Sequence, residues 1–190
     1  MIENVSSPPV DLPVERRRIR TQGALSFALC AAVLILAVFW LPHWLSFPVE
    51  IADRLAFALK AVLFVVVWLL VAIGIVSTIR RYSAEDNAGS AFSQPSKRLA
   101  VPAAFLQNTL EQVVITTCAL LALATVEGVE PLAFIVASVP LFALGRVTFL
   151  RGYPRGAGGR AFGMVTTALP SLGAFLWSAY DIVGDATATM

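Results

Sequence analysis

Phe105-Leu106-Gln107-Asn108-Thr109-Leu110-Glu111-Gln112 places an ionisable group inside an apolar run that extends from about Leu99 to Val126. A run of that length crosses a hydrocarbon core as a helix. Asn108 and Glu111 are three residues apart and so share one face of that helix. A charge at the centre of a bilayer costs about 2.5–3.5 kcal/mol on insertion scales. Chains retain such a group where it lines a cavity or meets a partner, which makes this pair the first candidate for a site.

The surrounding composition agrees. The 190 residues are 58% hydrophobic, with a mean hydropathy of +0.79, outside the range of soluble domains. Apolar runs of membrane-crossing length recur, so the chain reads as an all-α integral membrane protein. Cys30 and Cys118 each lie in an apolar span at a spacing that suits neither zinc nor a disulfide scaffold, and both are expected as buried thiols. His43 is the only histidine and follows Pro42 in a loop, so no metal site is expected. No nucleic-acid partner is expected.

Residues 1–22 read as an unstructured basic tail: Met1 to Val14 are polar and proline-bearing, and Glu15-Arg16-Arg17-Arg18-Ile19-Arg20 follows. The first span runs from about Gly23 to Leu41, within a segment 23–45. It reads as an uncleaved anchor rather than a signal peptide, because Pro42-His43-Trp44-Leu45-Ser46-Phe47 lacks a small-x-small cleavage site. Trp40 and Trp44 suit an interfacial belt. The remaining spans fall in residues 50–185, at about Leu55–Ile79, Leu99–Val126, Leu132–Leu150 and Ala161–Val183, the last with Pro170 as an interruption.

With five spans, Arg16 to Arg20, Arg80-Arg81 with Lys97-Arg98, and Arg146, Arg151, Arg155 and Arg160 all fall on one side. The opposite loops hold Glu50, Asp53, Glu127, Glu130, Asp181 and Asp185, with Arg54 the only nearby cation. The excess of basic residues assigns the N-terminus and both basic loops to the cytoplasm. No inverted repeat of the transporter kind is visible, and a small transporter or channel subunit is the weakest reading.

A second constellation begins inside the fourth span. Arg146, Phe149 and Tyr153 lie at i, i+3 and i+7 on one helix face, and Arg160 follows at the start of the fifth span. Arginine forks hold carboxylates, and a helix N-terminus adds positive potential, so Arg160 suits an anion or a thiolate. A small zwitterion with carboxylates and an amine matches this set together with Glu111. The alternatives are that Arg151 and Arg155 are topology signals, that Tyr153 is an interface anchor, and that Glu111 pairs with Arg146 or with Asn108 of a neighbouring helix as packing glue.

These residues resemble the MAPEG family, the membrane-associated proteins of eicosanoid and glutathione metabolism. Asn108-Thr109-Leu110-Glu111 is similar to the family's Asn-x-x-Glu. Gly145-Arg146, Gly152-Tyr153 and Arg160 are similar to its Gly-Arg, Gly-Tyr and later Arg. Arg80-Arg81 resembles a basic pair after the family's first helix. The resemblance covers about Leu55 to Val183 and implies a four-helix bundle, here with one extra N-terminal transmembrane helix. It also implies a homotrimer in a bacterial inner membrane, among membrane lipids. By resemblance the protein would be a glutathione-dependent transferase or peroxidase acting on lipophilic electrophiles. Asn108, Glu111, Arg146, Tyr153, Arg80 and Arg81 would hold glutathione, and Arg160 would stabilise its thiolate. Three positions depart from the pattern. Ala104 stands where an arginine is common, Gln112 where a tyrosine often follows the Glu, and Phe149 where a tyrosine is usual. The alternative function is a non-enzymatic lipid-binding or structural membrane protein that keeps the bundle without glutathione chemistry.

Overall fold

Inside a bilayer no water is present to satisfy backbone amides, so an apolar chain must satisfy them within its own helices. The computed structural model describes residues 11–92 and 94–188, and within them it shows five helices and no strand. They are α1 (Leu12–Trp40), α2 (Ile51–Arg81), α3 (Lys97–Thr125), α4 (Glu130–Gly152) and α5 (Gly156–Ala188). Four continuous stretches are long and apolar enough to cross a membrane, at Leu12–His43, Ile51–Arg81, Lys97–Thr125 and Glu130–Gly184. The fourth comprises α4 and α5, joined by the 3-10 turn Tyr153–Arg155.

α1 corrects one expectation. It begins at Leu12 rather than near Gly23, so residues 12–22 are helical and not an unstructured tail. The local reasons are standard helix-start chemistry. Asp11 caps the helix by accepting from the Val14 amide at 3.3 Å, Pro13 sits in the first turn, and Glu15 adds an acidic group there. The part of the tail expectation that concerns residues 1–10 lies outside the described residues.

Within the bundle α4 packs most extensively on α5, α2 on α3, and α1 on α5. The α4–α5 hairpin is close enough to need glycine. A Cβ on Gly163 would stand 2.3 Å from the Phe149 backbone nitrogen, and one on Gly152 would stand 2.0 Å from the Gly159 carbonyl oxygen. Gly156, at φ +81, makes the reversal that opens α5. Polar links tie the other pairs. Ser26 meets Thr166 at 2.7 Å between α1 and α5, and Thr116 meets Ser171 at 2.7 Å between α3 and α5.

Pro170 does not interrupt α5, which continues to Ala188. A proline cannot donate to the carbonyl four residues earlier, here that of Thr166. The Cys30 thiol of α1 lies 3.8 Å from that carbonyl oxygen and takes over part of the missing bond. Cys30 is buried as expected, whereas Cys118 is exposed on α3. A span buried on both sides and a span facing lipid are equally apolar, so hydropathy could not separate these two thiols.

Each end of the α2–α3 pair is closed by one buried charge. At one end Arg54 of α2 donates from Nε to Ala124 O at 2.9 Å, and from its other nitrogens to the carbonyls of Val126 and Gly128. It therefore satisfies carbonyls left open at the α3 C-terminus. At the other end Asp86 accepts from Ser83 Oγ at 2.8 Å and from the Ser96 amide and hydroxyl at 2.8 and 2.7 Å. Ser96 in turn caps α3 by accepting from the Leu99 amide.

Candidate functional site

The buried side of α3, α4 and α5 meets around Arg146. Its side chain is fully buried. Nε and one terminal nitrogen donate to Thr167 Oγ1 at 3.1 and 2.7 Å, and the other terminal nitrogen donates to Asn108 Oδ1 at 2.8 Å. The guanidinium carbon lies 5.0 Å from the Phe149 ring centroid and 5.6 Å from that of Phe142. Three hydrogen bonds and two aromatic faces offset the large cost of taking the cation out of water. Thr167 can serve because its hydroxyl also donates to the Gly163 carbonyl one turn back at 2.9 Å, which fixes its rotamer.

The helix face expected from the spacing 146, 149 and 153 is present, and it continues onto α5. Phe149 and Tyr153 meet edge to face at 5.6 Å, and the Arg160 guanidinium sits 4.6 Å above the Tyr153 ring. These two rings therefore lie between the two cations, Arg146 and Arg160. The inner cation is fully buried, and the outer one is only partly so.

Beside the outer end lies a cavity of about 300 Å³. Asn108, Tyr153 and Arg160 line it together with Ala104, Met164 and Ile19. Asn108 Nδ2 lies 3.7 Å from Met164 Sδ, a weak acceptor, so the amide hydrogens remain available to a stronger one. Arg146 does not line this cavity. It stands behind Asn108 and holds its side-chain oxygen.

Glu111 is exposed on α3 and does not line the cavity either. Its carboxylate accepts from Gln107 Nε2 at 2.9 Å, and among the described residues no ion pair joins it to Arg146. Within the chain Arg146 pairs with Asn108 instead of Glu111. Arg80 and Arg81 end α2 away from the cavity. Arg80 packs against the Asp86 loop, with a buried Nε that has no hydrogen-bond partner, and Arg81 is exposed. Among the described residues no group of three His, Cys, Asp or Glu side chains is placed to hold a metal.

Three positions around the candidate site escaped sequence reasoning. Thr167 carried no signal, because a threonine in an apolar span is unremarkable. Ile19 and Glu15 were hidden by reading residues 12–22 as a tail, although Asp11 and Pro13 form a recognisable helix start. The three departures are placed as well. Ala104 is an apolar wall of the cavity, Phe149 packs beneath Arg146, and Gln112 is buried on α3.

Comparison with known proteins identifies the family: the sequence profile of the MAPEG family matches residues 55–180, which takes in most of α2, all of α3 and α4, and most of α5. No curated protein and no solved structure matches the chain.

Proposed function

The chain belongs to the MAPEG family and is an integral membrane protein, and from that premise we propose that it is a glutathione-dependent transferase or peroxidase acting on lipophilic electrophiles. The observation that carries this reading is the cavity shared by Asn108, Tyr153 and Arg160, open beside a cation with no ion-pair partner among the described residues. The donor set fits a thiol tripeptide in kind, with a guanidinium, a phenol and a primary amide on one wall.

Glutathione supplies a thiolate nucleophile when bound. Arg160 would stand against the sulfur and favour its ionised form, as a nearby cation lowers a thiol pKa. The Tyr153 hydroxyl would donate to the same sulfur or to an adjacent carbonyl. Asn108, held by Arg146, would present its amide hydrogens to a peptide carbonyl. Glu111 lies one helical turn further along α3 and would take the amino group from the exposed side. Arg80 and Arg81 would reach a carboxylate from a neighbouring subunit of a trimer. In this reading α1 is a fifth transmembrane helix, the N-terminus is cytoplasmic, and the membrane is a bacterial inner membrane.

Calorimetric titration of glutathione into the purified protein, with ultraviolet absorbance of the thiolate followed in parallel, tests the proposal. Saturable heat and a thiolate band are expected. Absence of saturable binding overturns it.

A second reading is favoured by the apolar share of the cavity, where Ile19, Ala104, Ala161 and Met164 replace polar contacts. In it the protein is a lipid-binding or structural membrane protein that keeps the bundle and performs no glutathione chemistry. Arg160→Ala would then leave any phenotype intact, while Glu111→Leu would disturb assembly.

A further inference from the structure

Glu15, Arg18 and Ile19 lie at i, i+3 and i+4 on one face of α1, and all three meet the turn that opens α5. The Glu15 carboxylate accepts from the Gly158 amide at 2.6 Å, an anion against the positive end of a helix. The methylene stem of Arg18 lies across Gly158, where a Cβ would stand 2.8–2.9 Å from its carbons. Ile19 then falls beside Ala157, Arg160 and Ala161 at the mouth of the cavity, with 38% of its surface still exposed. Higher up, the Ser26–Thr166 hydroxyl pair and the Cys30 thiol hold α1 in register on α5. None of these α1 residues lies within the stretch that matches the family.

We propose that α1 is a wall of the ligand site and that Ile19 is a specificity-determining residue, limiting the size of the apolar group that the site accepts beside Arg160 and Tyr153. The inference rests on the reading of this cavity as a ligand site. The ligand class is amphipathic, with an anionic or thiolate end toward Arg160 and an apolar end toward Ile19. Ile19 stands on the wall of a cavity of about 300 Å³, so a change of a few carbons there changes what fits beside it. Each ligand methylene buried there is worth about fourfold in affinity. Glu15 and Arg18 keep the wall fixed, because they seat α1 against Gly158, where the lack of a side chain leaves room for the Arg18 stem.

The experiment titrates benzoate and a series of para-alkyl benzoates, up to 4-hexylbenzoate, into the full-length protein in detergent, for wild type, Ile19→Ala and Ile19→Trp. The carboxylate addresses Arg160 and the alkyl chain reports the wall. In Ile19→Ala the tightest-binding member moves about two methylenes longer, and in Ile19→Trp it moves shorter. The partial exposure of Ile19 lets both variants fold, which a melting curve of each verifies. An identical chain-length profile in all three proteins overturns the proposal, as does a wild type that binds none of the series. Glutathione is titrated into the same wild-type sample. A shifted benzoate profile supports the wall even where glutathione fails to bind, and in that case only the glutathione reading falls.

Discussion

The guanidinium of Arg146 holds the side-chain oxygen of Asn108 at 2.8 Å, across the contact between α4 and α3. The relationship explains why a fully buried arginine belongs in this bundle. It orients an amide that faces the cavity, while Thr167 anchors the cation from behind.

Thr167→Val removes the hydroxyl that accepts two of the three Arg146 hydrogen bonds at nearly constant volume. Hydrogen bonds to charged groups contribute about 1.5–3 kcal/mol, so a loss of that size is expected. Thermal unfolding in detergent measures it. An unchanged melting temperature would show that the bonds to Thr167 do not hold the guanidinium.

Arg160→Ala removes the cation above Tyr153 without touching the buried network. Loss of one charge-assisted bond of about 1.5–3 kcal/mol corresponds to a drop of more than tenfold in thiolate formation. The thiolate absorbance of added glutathione reads this directly. Arg160→Lys retains the charge but loses the planar stack on the ring, and an intermediate value is expected.

Ala104→Arg restores a cation on the cavity wall, four residues before Asn108 on α3. Glutathione affinity is expected to rise about tenfold, by the same charge-assisted bond. Calorimetry checks it, and an unchanged or weaker affinity would show that this wall does not face the tripeptide.

Asp86 lies in the loop between α2 and α3, where the Ser96 amide and hydroxyl hold its carboxyl below the usual carboxylate range. Its folded-state pKa is depressed, so its contribution to stability is present above the unfolded carboxylate value of about 4 and is lost as pH falls through the lower folded value. Asp86→Asn is therefore expected to unfold more readily than wild type at pH 7, and the difference should shrink as pH drops below about 4. Hydrogen exchange over residues 83–96 across this pH range follows it. A gap that stays constant with pH would rule out ionisation of Asp86 as the cause.

Much of the site was legible because its residues violate the local composition. Glu111, Asn108 and Arg146 stand out where the surroundings are apolar, and the spacing of 146, 149 and 153 defines one helix face without knowledge of a neighbour. Glu111 nevertheless turned out exposed, while Arg146, which that same reasoning placed in the site, turned out wholly buried behind it. Periodicity finds a face only where one side of a helix is polar. In these spans lipid and protein interior are equally apolar, so no contrast marks which side a given polar group faces.

By itself the sequence determined the helices and the family. Long apolar runs have one way to satisfy their amides inside a bilayer, and two polar blocks at set spacings identify the bundle they build. Only the tertiary structure decided that Arg146 positions Asn108 through Thr167, and that Cys30 covers the carbonyl that Pro170 leaves open. It alone seated Glu15 and Arg18 of α1 on Gly158 near the start of α5, and brought Ile19 to the cavity. Those outcomes depend on contacts between residues up to 143 positions apart, and no local pattern encodes which of many apolar faces will meet.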